Sequence, residues 1–177
     1  MNEETRRKIE HTAVAICEDL DYHHNSELAD FIDRIGGALI MTSALDILKD
    51  AALIKTGEHS FLMKVREDQT NERITFTIAH ALGHLFLHCG YHYVLEMWEA
   101  LPVNEILLPN ASNEQELQAH AFAKALLMPE DLFKFYIHTH EKDGFINMRD
   151  VAKHFHVSYD TAKYRAKELD LIASAIL

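Results

Sequence analysis

With 177 residues, nearly half of them apolar and a quarter charged, the chain is long enough to bury one good hydrophobic core. A formal charge of −11 argues against non-specific binding to nucleic acid or an anionic membrane, and leaves a basic protein partner open. The start, MNEETRRKIE, lacks the apolar stretch of a secretory signal, and no run approaches the roughly 18 apolar residues that span a bilayer. The two cysteines, Cys17 and Cys89, have no partner spacing. A cytoplasmic protein with reduced thiols is the expectation.

Apolar spacing predicts helices over residues 4–22 and 26–36, the second ending at Gly36-Gly37. Three strand-like pieces follow, Ala38–Thr42, Ala52–Lys55 and Ser60–Arg66, the last two joined through Thr56-Gly57-Glu58-His59 as a hairpin. A polar turn from Glu67 to Glu72 leads into a helix from Arg73 to His88 that is apolar nearly all round, and so buried. Another helix runs from Asn113 to Pro129, where proline stops it. After Asp143-Gly144, residues 147–172 are helical. The expected fold class is α+β, a helical domain with a small three-stranded sheet over residues 1–143 and a C-terminal helix-turn-helix-like lobe over residues 144–177.

The chemistry lies in histidines set one turn apart. His80, His84 and His88 form a ladder on one helix face, and two imidazoles so spaced can reach one metal ion at about 2.0–2.1 Å. In a strongly apolar helix, unpartnered imidazoles cost free energy, which favours a ligand role over chance spacing. A hydrolytic zinc takes three protein ligands and keeps one open position. Glu116 is the best third ligand, at the head of a helix rich in alanine; Glu114 competes with it, and Glu105 is more distant. Gly83 and these alanines allow the two helices to approach closely.

The segment Arg73-Ile-Thr-Phe-Thr-Ile-Ala-His80-Ala-Leu-Gly-His84-Leu-Phe-Leu-His88 resembles the metal helix of the ImmA/IrrE metallopeptidases, R-x-x-F-T-x-A-H-E-L-G-H. Glu116-Leu-Gln-Ala119-His-Ala-Phe122-Ala123-Lys-Ala-Leu126-Leu127-Met128-Pro129 is similar to that family's E-x-x-A-x-x-F-A-x-x-L-L-M-P. The resemblance extends over roughly residues 10–172. It implies a zincin-like fold, zinc held by His80, His84 and Glu116, and His88 and His120 behind the ligands or facing the substrate. It also implies site-specific endoproteolysis of a helix-turn-helix transcriptional repressor of a mobile element or stress regulon, by which repression is relieved. The group that stabilises the oxyanion is open among His88, Tyr91, Tyr93, His138 and His140.

One position departs from the pattern. Where the family has the general-base glutamate, this chain has Ala81. Alanine cannot take a proton from water or return it to a leaving amine, and loss of such a base costs about 10²–10⁴ in rate. The chain is therefore expected to bind zinc without cleaving. Two explanations stand: an inactivating substitution, made so that the protein can be prepared without cutting itself or its partner, or a natural pseudopeptidase that keeps its metal for binding. The match of every other motif residue favours the first.

Residues 147–169 have helix-turn-helix spacing, with Val151, Ala152, Phe155, Ala162 and Leu169 inward and Val157-Ser158 at the turn. As a DNA reader this would present Tyr159, Thr161, Lys163 and Tyr164 to a groove, with Lys163 and Arg165 as the cations to test. Between Arg149 and Asp170, however, five basic residues meet four acidic ones, a weak footprint for DNA. A packing and substrate-docking lobe is the preferred reading.

Overall fold

The computed structural model of the chain describes residues 1–24, 26–47, 49–107, 110–142 and 144–172. Helix α1 (Glu3–Asp19) starts where the Asn2 side chain accepts from the Thr5 amide at 2.8 Å, and it buries Ile9, Ala13 and Ile16. Helix α2 (Leu28–Arg34) ends at Gly36, whose φ is +85°. A Cβ there would fall 2.4 Å from the His59 carbonyl oxygen, so this junction requires glycine on both counts.

Strands β1 (Gly37–Thr42), β2 (Ala51–Gly57) and β3 (Ser60–Arg66) follow close to their expected bounds. β2 and β3 form the hairpin, turning at Glu58-His59, and β1 lies parallel beside β3. Among the described residues the sheet has four strands in the order β1-β3-β2-β4, one more than the sequence suggests. Strand β4 (Ile106–Leu107) is two residues long and exists only by pairing with Leu53 and Ile54 of β2. So short a strand has no alternation to detect.

What places β4 is a buried lysine. Lys55 Nζ donates to the carbonyls of Trp98 (2.7 Å), Glu99 (3.2 Å) and Leu101 (3.2 Å), capping the end of helix α4 (Leu95–Glu99). The Asn104 amide in turn donates to the Lys55 carbonyl at 2.8 Å, which leads the chain back to the sheet edge.

Helix α3 (Asn71–Leu87), capped by Thr70, and helix α5 (Asn113–Leu127), opened by a Ser112–Gln115 capping box, cross at the centre. They meet where Gly83 faces Ala119: a Cβ on Gly83 would stand 3.0 Å from Ala119 Cα and 3.2 Å from Phe122 Cβ. Small residues here set the spacing between the helices, as their sequence suggests.

Helix α6 (Glu130–His140) follows directly after Pro129 and buries Phe133 and Ile137, one turn apart; the sequence reading has no helix there. The C-terminal helical segment resolves into α7 (Met148–His154) and α8 (Tyr159–Glu168), with Val151, Ala152, Phe155, Val157 and Ala162 inward. These residues share one continuous core with Ile9 of α1 and Phe122 of α5. The expected domain boundary falls at Asp143, outside the described residues.

Arg165 corrects one expectation. Counted as a cation for DNA, it is completely buried: Nη1 donates to Glu10 Oε1 (2.8 Å) and Nε to the Met128 carbonyl (3.2 Å). Lys124 pairs with Glu168 beside it. The cause is tertiary: α8 lays this guanidinium on Glu10 and the end of α5, with the Glu168 carboxylate 3.9 Å away, and these groups satisfy a buried charge.

Candidate metal centre

Burial of one whole side of α3 brings His80 and His84 against the first turn of α5, where Glu116 projects. His80 Nε2 lies 3.0 Å from Glu116 Oε2 and 3.1 Å from His84 Nε2, and His84 Nε2 lies 3.6 Å from the same Glu116 oxygen. Three donors bound to a tetrahedral zinc at about 2.0–2.1 Å stand about 3.3–3.4 Å apart. The three atoms already form such a face, so the donor set fits a zinc ion. Glu114 reaches toward Gln118 instead, at 3.5 Å, and Glu105 does not line the cleft.

The protonation states suit a cation. Burial, followed by the neighbouring imidazoles of His120 and His84, drives His80 down to about 4 from an ordinary 6.5. Burial likewise lowers His84, against the pull of Glu116. Burial raises the Glu116 carboxyl, but His84 and His80 outweigh it and hold the net shift downward. Neutral rings and an ionised carboxylate leave three lone pairs converging on one point.

A hydrogen-bond chain sets the tautomer of His84. Gln118 Oε1 can only accept, so His88 Nε2–H donates to it (2.9 Å), leaving the His88 Nδ1 lone pair to accept from His84 Nδ1–H (3.0 Å). The His84 proton is therefore on Nδ1 and its lone pair on Nε2, facing His80 and Glu116. His80 has no such support: its Nδ1 is buried without a hydrogen-bond partner among the described residues.

His120 is the fourth imidazole of the cluster. It lies one turn beyond Glu116, with a ring nitrogen within 4.8 Å of donor atoms of both His80 and Glu116. That threshold groups His80, Glu116 and His120; the shorter distances group His80, His84 and Glu116. The latter are the better ligand set, because all three of their separations match a coordination face.

The donors open into a cleft of about 390 Å³. Its walls include Ala51–Leu53 of β2, Ile106 and Leu107 of β4, Arg73, Phe76 and Thr77 of α3, and Ala81. Ala81, beside His80, lines the cleft where a longer side chain would enter it. Asp50 also lines it, but Arg73 Nη2 donates to its Oδ2 at 2.6 Å and holds that carboxylate at the wall.

Most of the residues weighed for oxyanion stabilisation stand elsewhere. The Tyr91 hydroxyl donates to the carbonyls of Ile35 (2.5 Å) and His59 (2.9 Å), binding helix α2 to the hairpin turn. The Tyr93 hydroxyl donates to Asp19, and His140 stacks on Tyr136 with centroids 4.0 Å apart. Neither they nor His138 line the cleft, and His88 is committed to His84 and Gln118. Gln118 and Asp50 are the residues sequence reasoning missed. The spacing of Gln118, four residues after Glu114 and two after Glu116, carries no signal of its partner 30 residues earlier.

A His-x-x-x-His helix crossed by a carboxylate helix beside a small mixed sheet defines a zincin-like α+β protein. Residues 49–167, about two thirds of the chain, match the family Peptidase M78, the IrrE N-terminal-like domain, and the chain belongs to that family. No curated protein matches the chain. Among solved structures, a Mycobacterium tuberculosis transcriptional regulator is similar, with a TM-score of 0.59 at 16% identity over 90% of this chain and 55% of the regulator. The chain thus spans about half the length of that regulator, and the likeness is one of fold. No helix among the described residues is long and apolar enough to cross a membrane.

Proposed function

We propose that the chain is a zinc-binding form of a site-specific endopeptidase that recognises a helix-turn-helix transcriptional repressor, and that this form grips its substrate without cutting it. The observation that carries the proposal is the converging donor face of His80, His84 and Glu116 with Ala81 beside it at the cleft. Zinc bound there supplies a Lewis acid that polarises a carbonyl and acidifies water. The protein's own part is to hold His84 in the ligating tautomer through His88 and Gln118. The cleft between β4 and α3 admits an extended segment of the partner. With alanine at position 81 the described residues of the cleft offer no free carboxylate base, because Glu116 faces His80 and His84 and Asp50 is engaged by Arg73. Cytoplasmic location follows from the nature of such a substrate.

Elemental analysis of the purified chain tests the metal site: about one zinc per chain, lost in His80→Ala, is the expected result, and no zinc in the folded chain would sink the reading. Ala81→Glu then tests the chemistry, with cleavage of the partner repressor expected only in the glutamate form.

The second reading is a natural non-catalytic zinc protein that sequesters its partner. It is favoured by His120, a further imidazole against the donors. Continued silence of Ala81→Glu toward a partner that it still binds would support it. Action as a DNA-binding regulator through α7 and α8 is weakened by the burial of Arg165.

A further inference from the structure

We propose that Lys49 is a specificity-determining residue of the cleft, selecting a partner segment that carries a carboxylate beside the part held at the metal centre. This rests on the reading of the cleft as a zinc site that grips an extended segment of a protein. It adds a chemical class to that segment: apolar residues with an acidic one among them.

The first observation is a free charge. Two lysine or arginine cations line the cleft, Lys49 and Arg73. Arg73 is committed to Asp50 Oδ2 at 2.6 Å, and the other oxygen of Asp50 faces Arg66 Nη1 at 4.0 Å. Glu116, the other carboxylate lining the cleft, faces His80 and His84. Lys49 is exposed and pairs with no carboxylate among the described residues.

The second observation is a fixed mount. Lys49 stands just before β2, and the backbone of the next residue is pinned. The Asp50 carbonyl accepts from the Arg66 amide (3.0 Å) and from Gln69 Nε2 (3.4 Å), while Gln69 Oε1 accepts from the Thr77 hydroxyl of α3 (3.0 Å). The chain that carries Lys49 is thereby tied to β3 and α3, and its ammonium, on a four-carbon stem, stays free to meet a ligand. Its field also reaches the donors. Burial is the largest influence on both His84 and Glu116, lowering the first and raising the second, and the Lys49 charge pushes both downward.

The preference for a carboxylate follows from what a docked segment does to this lysine. Ala51–Leu53, Phe76 and Ile106 give the cleft largely apolar walls. A segment laid between them displaces water from the ammonium, and a desolvated cation without a partner is costly. A carboxylate answers it with a charge-assisted hydrogen bond, an amide answers it more weakly, and a second cation repels it. The chain as a whole, at −11, disfavours an acidic segment. Lys49 therefore confines acceptance of such a segment to the cleft, which is how a local attraction set in a repulsive background gives specificity. The alternative is a solvated surface lysine, to which glutamate and glutamine in the segment would be equivalent.

The test uses the full chain loaded with zinc and a set of peptide hydroxamates. The hydroxamate takes the metal, and a tripeptide amide of leucine and alanine follows, with one Glu, Gln or Lys walked through its three positions. Calorimetry gives the affinities without any need for cleavage. At one position Glu is expected to bind the wild type about tenfold tighter than Gln, an advantage that shrinks as salt rises. Lys49→Met should bring that ratio to about one with zinc content unchanged, and Lys49→Glu should favour Lys over Glu at the same position. Equal affinities for Glu and Gln at all three positions of the wild type, or a Glu advantage that survives Lys49→Met, overturns the inference. With two variants at an exposed position, misfolding of one leaves the other to decide. A folded chain that holds no zinc and binds no probe overturns the zinc-site reading and the inference with it, whereas a zinc-loaded chain indifferent to the probe's charge overturns the inference alone.

Discussion

Replacing His88 with phenylalanine tests the proposed metal site without touching any of its proposed ligands. In the wild type, the hydrogen bond of His88 to Gln118 directs His84 Nδ1–H to donate to His88 Nδ1. Phenylalanine fills similar volume but accepts nothing. The metal-free variant has an escape: His84 moves its proton to Nε2, where the Glu116 carboxylate 3.6 Å away faces it. Metal binding demands that nitrogen's lone pair, returns the proton to Nδ1, and leaves a buried donor without an acceptor. The penalty, about 1–3 kcal/mol, therefore falls almost wholly on the metal-bound state. At about 1.4 kcal/mol per decade, zinc affinity should fall by about tenfold to a hundredfold. Competition against a chromophoric chelator at pH 7.5 measures this, and thermal unfolding of the metal-free forms should show little change. A variant affinity within about twofold of wild type would refute the relay and the tautomer assigned to His84.

Gly83→Val should force α3 and α5 apart, because the first added carbon already stands 3.0 Å from Ala119 Cα. Overpacking of this kind costs about 1–3 kcal/mol. Chemical denaturation and zinc titration should both report a loss, and unchanged zinc affinity would show that the crossing does not set the donor face. Arg165→Met leaves Glu10 buried with Arg6 as its remaining partner and should cost about 3–5 kcal/mol in urea unfolding, part of it recovered in Glu10→Leu/Arg165→Met. Recovery of none would mean that the ion pair is not the origin of the loss. The metal-free chain should also weaken in acid. His80 titrates near 4 when folded and near its ordinary 6.5 when unfolded, and His24 is lowered in the same way. Between those values the unfolded chain binds more protons, so stability falls as pH drops from about 6.5 to 4. Urea midpoints that stay level between pH 7 and pH 5 would contradict this.

The parts of this protein legible in one dimension are those whose physics is local. His80 and His84 are one turn apart, so any helix puts them on one face, and a helix apolar nearly all round has to be buried. The hairpin connection at Thr56–His59 and the stop at Pro129 depend only on neighbours in sequence. Alanine at position 81, where the resembled motif has glutamate, is equally plain, since it needs only the motif for comparison. The rest depends on groups brought together from far apart. Whether Glu114 or Glu116 faces His80, 36 residues before the latter, is decided by which face of α5 packs on α3 where Gly83 meets Ala119. His88 becomes a support for His84 only because Gln118 arrives from α5. Arg165 changes from a surface cation into a buried tie once Glu10, 155 residues earlier, lies beside it. Strand β4 has no pattern of its own and forms because Lys55 captures the carbonyls that end α4. Local hydrogen bonds and periodicity are encoded over a few residues, whereas the cost of burying a donor or a charge is met only by a partner that the completed fold delivers.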